Sequence, residues 1–372
     1  MSNFSSRYTL CLLAGVTAAL ILLAGCWHSP DAGPHLAPQV QTSQVQTPSF
    51  VGNAACAACH PDVFNSHSHT RHAATLWPVS RQVLGKLAPP TGPILKTGLV
   101  VVEKADKLAI GLPAQSDEVA PLDYALGSGK TGMTYVSLIG GNKIAEFRMS
   151  YFPHQKQWYV TPGQEKLAPD DIGKVHPTED ARRCFLCHAV ALPPDSLTPE
   201  KRFLGVGCES CHGPGGAHIA AVQAGQPAGS PMEKMKDWPA TRLNEMCGKC
   251  HGTKQDVEMT HLSKTATNRL QAYGLMESKC FKQSKDKLSC VTCHDPHTNA
   301  STDTKSYEAV CLTCHSSATV ANHPAQVQRV AGKTCPVNPK AKCIGCHMPD
   351  RQAIANTQLP TFMADHFIRV HR

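Results

Sequence analysis

Cysteine and histidine are the residues whose spacing can do chemistry in this 372-residue chain, which holds 18 of the first and 20 of the second. Seven times a cysteine is followed three positions later by another and then at once by a histidine: Cys56/Cys59/His60, Cys184/Cys187/His188, Cys208/Cys211/His212, Cys247/Cys250/His251, Cys290/Cys293/His294, Cys311/Cys314/His315 and Cys343/Cys346/His347. We number these motifs 1 to 7. Two thiols at this spacing can form thioethers to a porphyrin edge, and the adjoining imidazole can turn in to bind the iron from one face, so the pattern predicts seven covalently attached c-type haems. The cysteines are the attachment residues and the seven motif histidines the proximal ligands.

Zinc is the competing chemistry, because Cys187 and Cys208 are also spaced as in a zinc ribbon. A zinc site made of two CxxC pairs has no use for a histidine directly behind the second cysteine. All seven pairs carry one.

Iron in haem has a second axial position, and thirteen histidines lie outside the motifs. Filling every position would give low-potential, six-coordinate irons suited to electron transfer. His297 follows His294 by three residues, too short a link to reach the far face of the same porphyrin, so it should serve a neighbouring haem. The same holds, less strictly, for His218 after His212. Met348 adjoins His347 and is not read as an axial ligand.

These devices need elements to hold them. Only 6% of the residues are aromatic, which predicts little conventional core beyond the haems themselves. We expect a mainly α-helical and irregular multihaem fold organised around covalent haems, with a small antiparallel β module inserted after the first motif. The expected divisions are a signal peptide at 1–25, a Pro/Gln-rich tether at 26–49, a first haem segment at 50–87, the β module at 88–165 and a six-haem domain at 174–372. A helix is expected over 61–74, a hairpin from 99–103 and 107–112, and strands at 135–139, 143–152 and 158–160. In the stretch from Ala145 to Tyr151, apolar residues alternate with Glu146, Arg148 and Ser150, the period of a half-buried strand. Short helices are expected before motifs 4 and 6, at 241–246 and 307–310. The module is read as a packing cover for the first haem in preference to a docking surface.

The apolar run at 10–24 is short of the ~20 residues of a membrane span and suits an export signal. Leu22-Leu23-Ala24-Gly25-Cys26 resembles a bacterial lipobox, which makes Cys26 the lipidation site and the protein an exported lipoprotein, periplasm-facing or on the cell surface, at the outer membrane. The formal charge of +8 does not indicate nucleic acid, since each haem brings about two propionates that the basic residues can balance. Redox proteins are the expected partners, either other cytochromes or a quinol-oxidising membrane protein, and the lipid anchor supplies the contact with membrane.

Phe50 to Cys56, Gly207 to Gly215, Cys293-His294-Asp295-Pro296-His297 and Cys346-His347-Met348-Pro349 together resemble multihaem cytochromes of the c-554-like group, relatives of multihaem nitrite reductase and hydroxylamine oxidoreductase. The resemblance implies distal ligands at His69 or His72, His218, His297, His323 and His366. His176 and His261 would complete seven, with His154 as a rival. It also frames two readings. One is an electron carrier with mostly bis-histidine haems. The other is a reductase or oxidase of a small nitrogen or sulfur species at one five-coordinate haem. No CxxCK motif is present, and that counts against the enzyme. Cys280 and Cys335 lie outside the motifs and are read either as a disulfide or as free thiols.

Overall fold

The computed structural model describes residues 49–112, 115–140, 142–226, 232, 234–260, 268–315, 333–338, 340–355 and 357–371, which lie within one compact unit, Thr47–Arg372. Cys26, the signal and tether through 48, His261 and His323 lie outside the described residues.

Antiparallel strands fill the long interval between motifs 1 and 2. In chain order they are β1 (Leu76–Pro78), β2 (Gly92–Ile94), β3 (Leu99–Lys104), β4 (Lys107–Leu112), β5 (Gln115–Pro121), β6 (Tyr124–Leu126), β7 (Thr134–Ile139), β8 (Lys143–Phe147), β9 (Met149–Phe152), β10 (Gln157–Val160) and β11 (Gly173–His176). They form a four-stranded sheet ordered β2-β3-β4-β5, a five-stranded sheet ordered β1-β6-β7-β8-β11, and the β9–β10 pair. The expected hairpin is β3–β4, with Val102 opposite Ala109. The strands run past 88–165 at both ends, because β1 pairs with β6 and β11 with β8.

The strand expected at 143–152 breaks at Arg148, whose N–H bonds to Ile172 O and whose carbonyl accepts from Thr161 N–H. Past the break the alternation fails. Arg148 and Ser150 are buried along with Met149 and Tyr151, because the Ser150 hydroxyl bonds to both Thr134 Oγ1 and Thr161 Oγ1. A strand covered on both faces has no polar side to show. The module also has an ordinary apolar core, contrary to the expectation from composition. Trp158 lies 5.1–5.8 Å from the rings of Tyr135, Phe147 and Tyr151, packed on Leu99, Leu108, Ile110 and Met133.

The haem-motif half is helical and loosely linked. Helices Ala240–His251 and Thr304–His315 start ahead of motifs 4 and 6, as expected, and run on through them. The helix expected over 61–74 ends at Ser68, where His69 leaves helical geometry and Thr70 Oγ1 bonds back to His67 O. Two last strands, β12 (Asp350–Gln352) and β13 (Phe362–Ala364), pair beyond motif 7. Among the described residues no helix is long and apolar enough to cross a membrane.

Candidate haem-attachment site

Each motif lies on or at the end of a helical turn: Asn53–Ala57, Thr178–Leu186, Cys208–His212, Ala240–His251, Cys290–Cys293, Thr304–His315 and Cys343–His347. Positions i, i+3 and i+4 of a helix share one face. Both thiols and the imidazole of a CxxCH run are therefore presented together, as attachment to one porphyrin requires.

Thiols of different motifs lie side by side. Burial pushes Cys56 up to about 11, with the neighbouring Cys208 thiol the next cause. The Cys187 and Cys250 thiols hydrogen-bond each other, which lowers Cys187 to about 7, and Cys187 Sγ lies 3.8 Å from Lys249 O. Cys247 and Cys290 are likewise bonded, raising the first and lowering the second. Burial raises Cys211 next to Cys247 and pushes Cys311 up to about 12 beside Cys343. Motifs 2 and 3, the pair a zinc ribbon would bring together, instead meet motifs 4 and 1. Among the described residues no group of three or more His, Cys, Asp or Glu is placed to hold a metal ion by itself.

The seven motifs read alike in sequence but differ in local geometry. Helix Asn53–Ala57 holds Cys56 and stops short of Cys59 and His60, both of which are exposed. Pro61 is the cause: it starts the next helix, and the residue before a proline is pushed out of the α region, so His60 sits at φ −124°, ψ 53°. The turn still closes, because Cys59 N and His60 N both donate to Cys56 O, at 3.3 and 2.9 Å. His60 neighbours His212, the motif 3 histidine. Cys314 lies half-buried inside helix Thr304–His315 and accepts from the Thr313 hydroxyl of its own turn at 3.8 Å, whereas Cys311 one turn earlier faces Cys343 of motif 7.

Two of the junctions are built alike. Asn53, three residues before Cys56, accepts the Cys208 N–H at 2.8 Å; Asn244, three residues before Cys247, accepts the Cys290 N–H at 2.9 Å. At the first junction, buried Glu209, inside motif 3, accepts from Val51 N at 3.0 Å, Gly52 N at 2.8 Å and Gly215 N at 2.7 Å. This ties the start of the described chain to motif 3. Gly205, three residues before Cys208, sits at φ +81°, where a Cβ would run into the Ala73 carbonyl.

The imidazoles form three facing pairs. His212 and His297 have ring centres 6.2 Å apart and planes 8° apart. His294 and His366 are 6.2 Å apart at 36°, and His72 and His251 are 6.0 Å apart at 67°. Two metal–nitrogen bonds of ~2.0 Å plus ~1 Å from each nitrogen to its ring centre give ~6 Å. The pairs thus fit one haem iron each. Burial lowers the pKa of His72, His212, His294 and His366, favouring the neutral rings that ligate.

Acceptors behind the rings fix their tautomers. Nδ1 of His188 bonds to Thr75 O at 2.9 Å, His315 to Lys333 O at 2.8 Å, His347 to Arg369 O at 3.1 Å, and His366 to Ala364 O at 2.9 Å. His251 bonds to Gln271 Oε1 at 3.2 Å, His297 to Asp295 Oδ1 at 3.1 Å and His69 to Asn65 O at 2.7 Å. A proton held on Nδ1 leaves Nε2 free to ligate.

Other candidates are placed differently. Of His69 and His72, only His72 faces a motif histidine across a ring-sized gap. His218 lies half-buried in helix Gly216–Gln223, after motif 3. His176 Nε2 is 3.3 Å from Glu146 Oε2, and that contact occupies the nitrogen a ligand would need. His154 is exposed in the turn between β9 and β10. The disulfide drawn between Cys280 and Cys335 is not formed: both are free, Cys280 Sγ lying 3.2 Å from Ser278 Oγ and Cys335 Sγ accepting from Asn338 N. Cys280 neighbours Cys293 and Cys311, while Cys335 neighbours Cys343. Sequence reasoning passed over buried His67, which neighbours His72 and His297, and Gln271; neither belongs to a motif.

Comparison with known proteins gives the class. The cytochrome c554 and c-prime family matches residues 143–213, from β8 through motif 3, and the doubled CXXCH motif family matches 283–320, spanning motifs 5 and 6. The crystal structure of the outer cell wall cytochrome OcwA is similar with a TM-score of 0.51 at 17% identity, over 86% of this chain and 79% of that one. An undecahaem cytochrome from the S-layer of Carboxydothermus ferrireducens gives a TM-score of 0.43 at 17% identity, over 87% of this chain and 52% of that one. No curated protein matches. The fold is similar to that of a solved multihaem cytochrome, and two segments of the chain match c-type cytochrome families. The chain carries a cytochrome c554-type segment followed by a doubled CxxCH segment, and it binds c-type haem through its motifs.

Proposed function

We propose that the protein is an exported heptahaem cytochrome that conducts electrons through closely packed, mostly bis-histidine haems. The facing imidazole pairs carry this reading. Each joins a motif histidine to a histidine distant in sequence, so His297 would complete the haem of motif 3, His72 that of motif 4 and His366 that of motif 5. A filled axial site reorganises little on changing oxidation state and keeps substrates off the iron. The haem supplies the one-electron chemistry; the chain's residues attach it, orient it and exclude water.

The thiol contacts support an order in space. Motif 1 adjoins motif 3, motif 3 adjoins 4, 4 adjoins 5, 5 adjoins 6 and 6 adjoins 7, while motif 2 joins at motif 4. Electrons would run from one end of this line to the other with a branch under the β sheet. Exposed Cys59 and His60 would put the motif 1 haem at the open end of that line, where a redox partner can reach it. His218 and outlying His323 and His261 remain our candidates for the other distal positions, with His176 weakened by its contact with Glu146.

Export and a lipid at Cys26 rest on the apolar run at 10–24 and the lipobox-like sequence. The outer cell wall cytochrome OcwA, similar in structure, carries a title that accords with a surface site; redox proteins would then be the partners. A pyridine haemochrome assay of the purified protein should give seven haems per chain, and clearly fewer would refute the count. A high-spin ferric signal that shifts with nitrite, hydroxylamine or sulfite would replace the carrier with the reductase reading.

A further inference from the structure

The hydrogen bonds behind the axial imidazoles differ between the adjoining motifs 4 and 5. We propose that this difference sets the haem of motif 4 at a lower reduction potential than that of motif 5, with Gln271 the positioning residue that holds it there. The inference rests on the axial pairing above and adds to it a direction of flow.

At motif 4 the motif histidine is backed: His251 Nδ1 lies 3.2 Å from Gln271 Oε1. At motif 5 the motif histidine is not: His294 Nδ1 is buried with no hydrogen-bond partner, while its facing ring, His366, has Nδ1 2.9 Å from Ala364 O. An acceptor on the far N–H pushes electron density toward the ligating nitrogen and makes the imidazole a stronger donor. Stronger donation favours ferric over ferrous iron and lowers the potential. An electron reaching motif 4 from motif 2 or 3 therefore moves downhill to motif 5.

Gln271 is the adjustable part of this arrangement. His188, His315, His347 and His366 are backed by main-chain carbonyls, which no substitution removes, but His251 is backed by a side chain. That side chain is itself held. Gln271 starts helix Gln271–Glu277, and its amide nitrogen donates to Met363 Sδ at 2.9 Å, which turns the oxygen toward His251. Gly274 of the same helix packs on the backbone of His366 and Phe367, so one helix touches the ligand segments of both haems.

The test is a spectroscopically monitored redox titration of the full-length, haem-loaded protein carrying Gln271→Leu or Gln271→Glu. Leu removes the acceptor and should raise the midpoint of one haem. Glu supplies a stronger acceptor and should lower the midpoint of the same haem, the other haems keeping theirs. A role in packing alone would move both variants the same way, and that result, or no shift in either, overturns the proposal. The low-spin signal lost in His366→Ala marks the motif 5 haem, which must be reduced before the Gln271-sensitive one; the reverse order also overturns it. Peptide mass spectrometry of the same samples separates the two levels. A missing haem at motif 4 or 5 refutes the axial reading itself, whereas full occupancy without opposed shifts refutes only this inference.

Discussion

Replacing Asn244 with leucine tests how the haem motifs are joined. Asn244 is fully buried; its Oδ1 accepts from Cys290 N at 2.9 Å and its Nδ2 donates to Leu288 O at 3.3 Å. A third contact, from Cys290 Sγ at 3.2 Å, disappears once that sulfur is a thioether, so two bonds count in the finished protein. Leucine fills nearly the same volume and leaves both main-chain groups unpaired away from water, each costing ~1–3 kcal/mol. Part of this is offset by the added apolar burial, giving a net loss of about 2–4 kcal/mol. Denaturant unfolding of haem-loaded wild type and variant at equal haem content reads the difference from the midpoint at constant slope. The equivalent Asn53→Leu, at a half-buried position with one bond to Cys208 N, should cost less, about 1 kcal/mol. A loss below about 0.5 kcal/mol for Asn244→Leu, or a larger one for Asn53→Leu, would refute the idea that these asparagines clamp motif to motif.

Other outcomes follow from the same geometry. Glu209→Gln puts an NH2 where a carboxylate oxygen accepts, opposing Gly52 N or Gly215 N; it should cost about 1–3 kcal/mol and speed amide exchange across 51–52, and unchanged exchange would contradict the clasp. His297→Ala should turn one low-spin haem high-spin, and the affected haem should be the one on the Cys208/Cys211 peptide; an unchanged spectrum counts against the pair. Burial lowers the pKa of His188 and His366, so the unfolded chain takes up these protons first on acidification. Their contribution to stability is complete above about pH 6.5 and is lost as pH falls below it, so unfolding midpoints measured between pH 8 and 5 should decline on the acid side; a flat profile would contradict their buried neutral state.

The attachment chemistry was legible because CxxCH is a local signal: one turn of chain carries both thiols and the imidazole. The hairpin at 99–112 and the strand at 158–160 were legible for the same reason, as short apolar runs around a polar turn. What sequence did not disclose depends on contacts between distant segments. Arg148 and Ser150 read as a solvent face until Thr161 and Ile172 close over them. β1 and β11 lie outside the expected module because their partners, β6 and β8, are known only in three dimensions. Nothing in the motif itself separates exposed Cys59 from Cys56 or Cys314 from Cys311; which thiol meets another motif depends on how the helices pack. His72 and His366 were reached through resemblance to a family, and His297 also through its three-residue spacing from His294, but which motif each faces appears only where the rings meet. Asn53 and Asn244 did leave a trace, an asparagine three residues before an attachment cysteine, but one with no meaning until each was seen capping another motif. Gln271 left none.

The most direct test of the account is the position of the irons. Anomalous scattering at the iron edge from crystals of the haem-loaded protein should show seven peaks per chain, with one between His212 and His297, one between His72 and His251 and one between His294 and His366. An iron at motif 3, 4 or 5 whose second axial ligand is any other residue, or is absent, would contradict it.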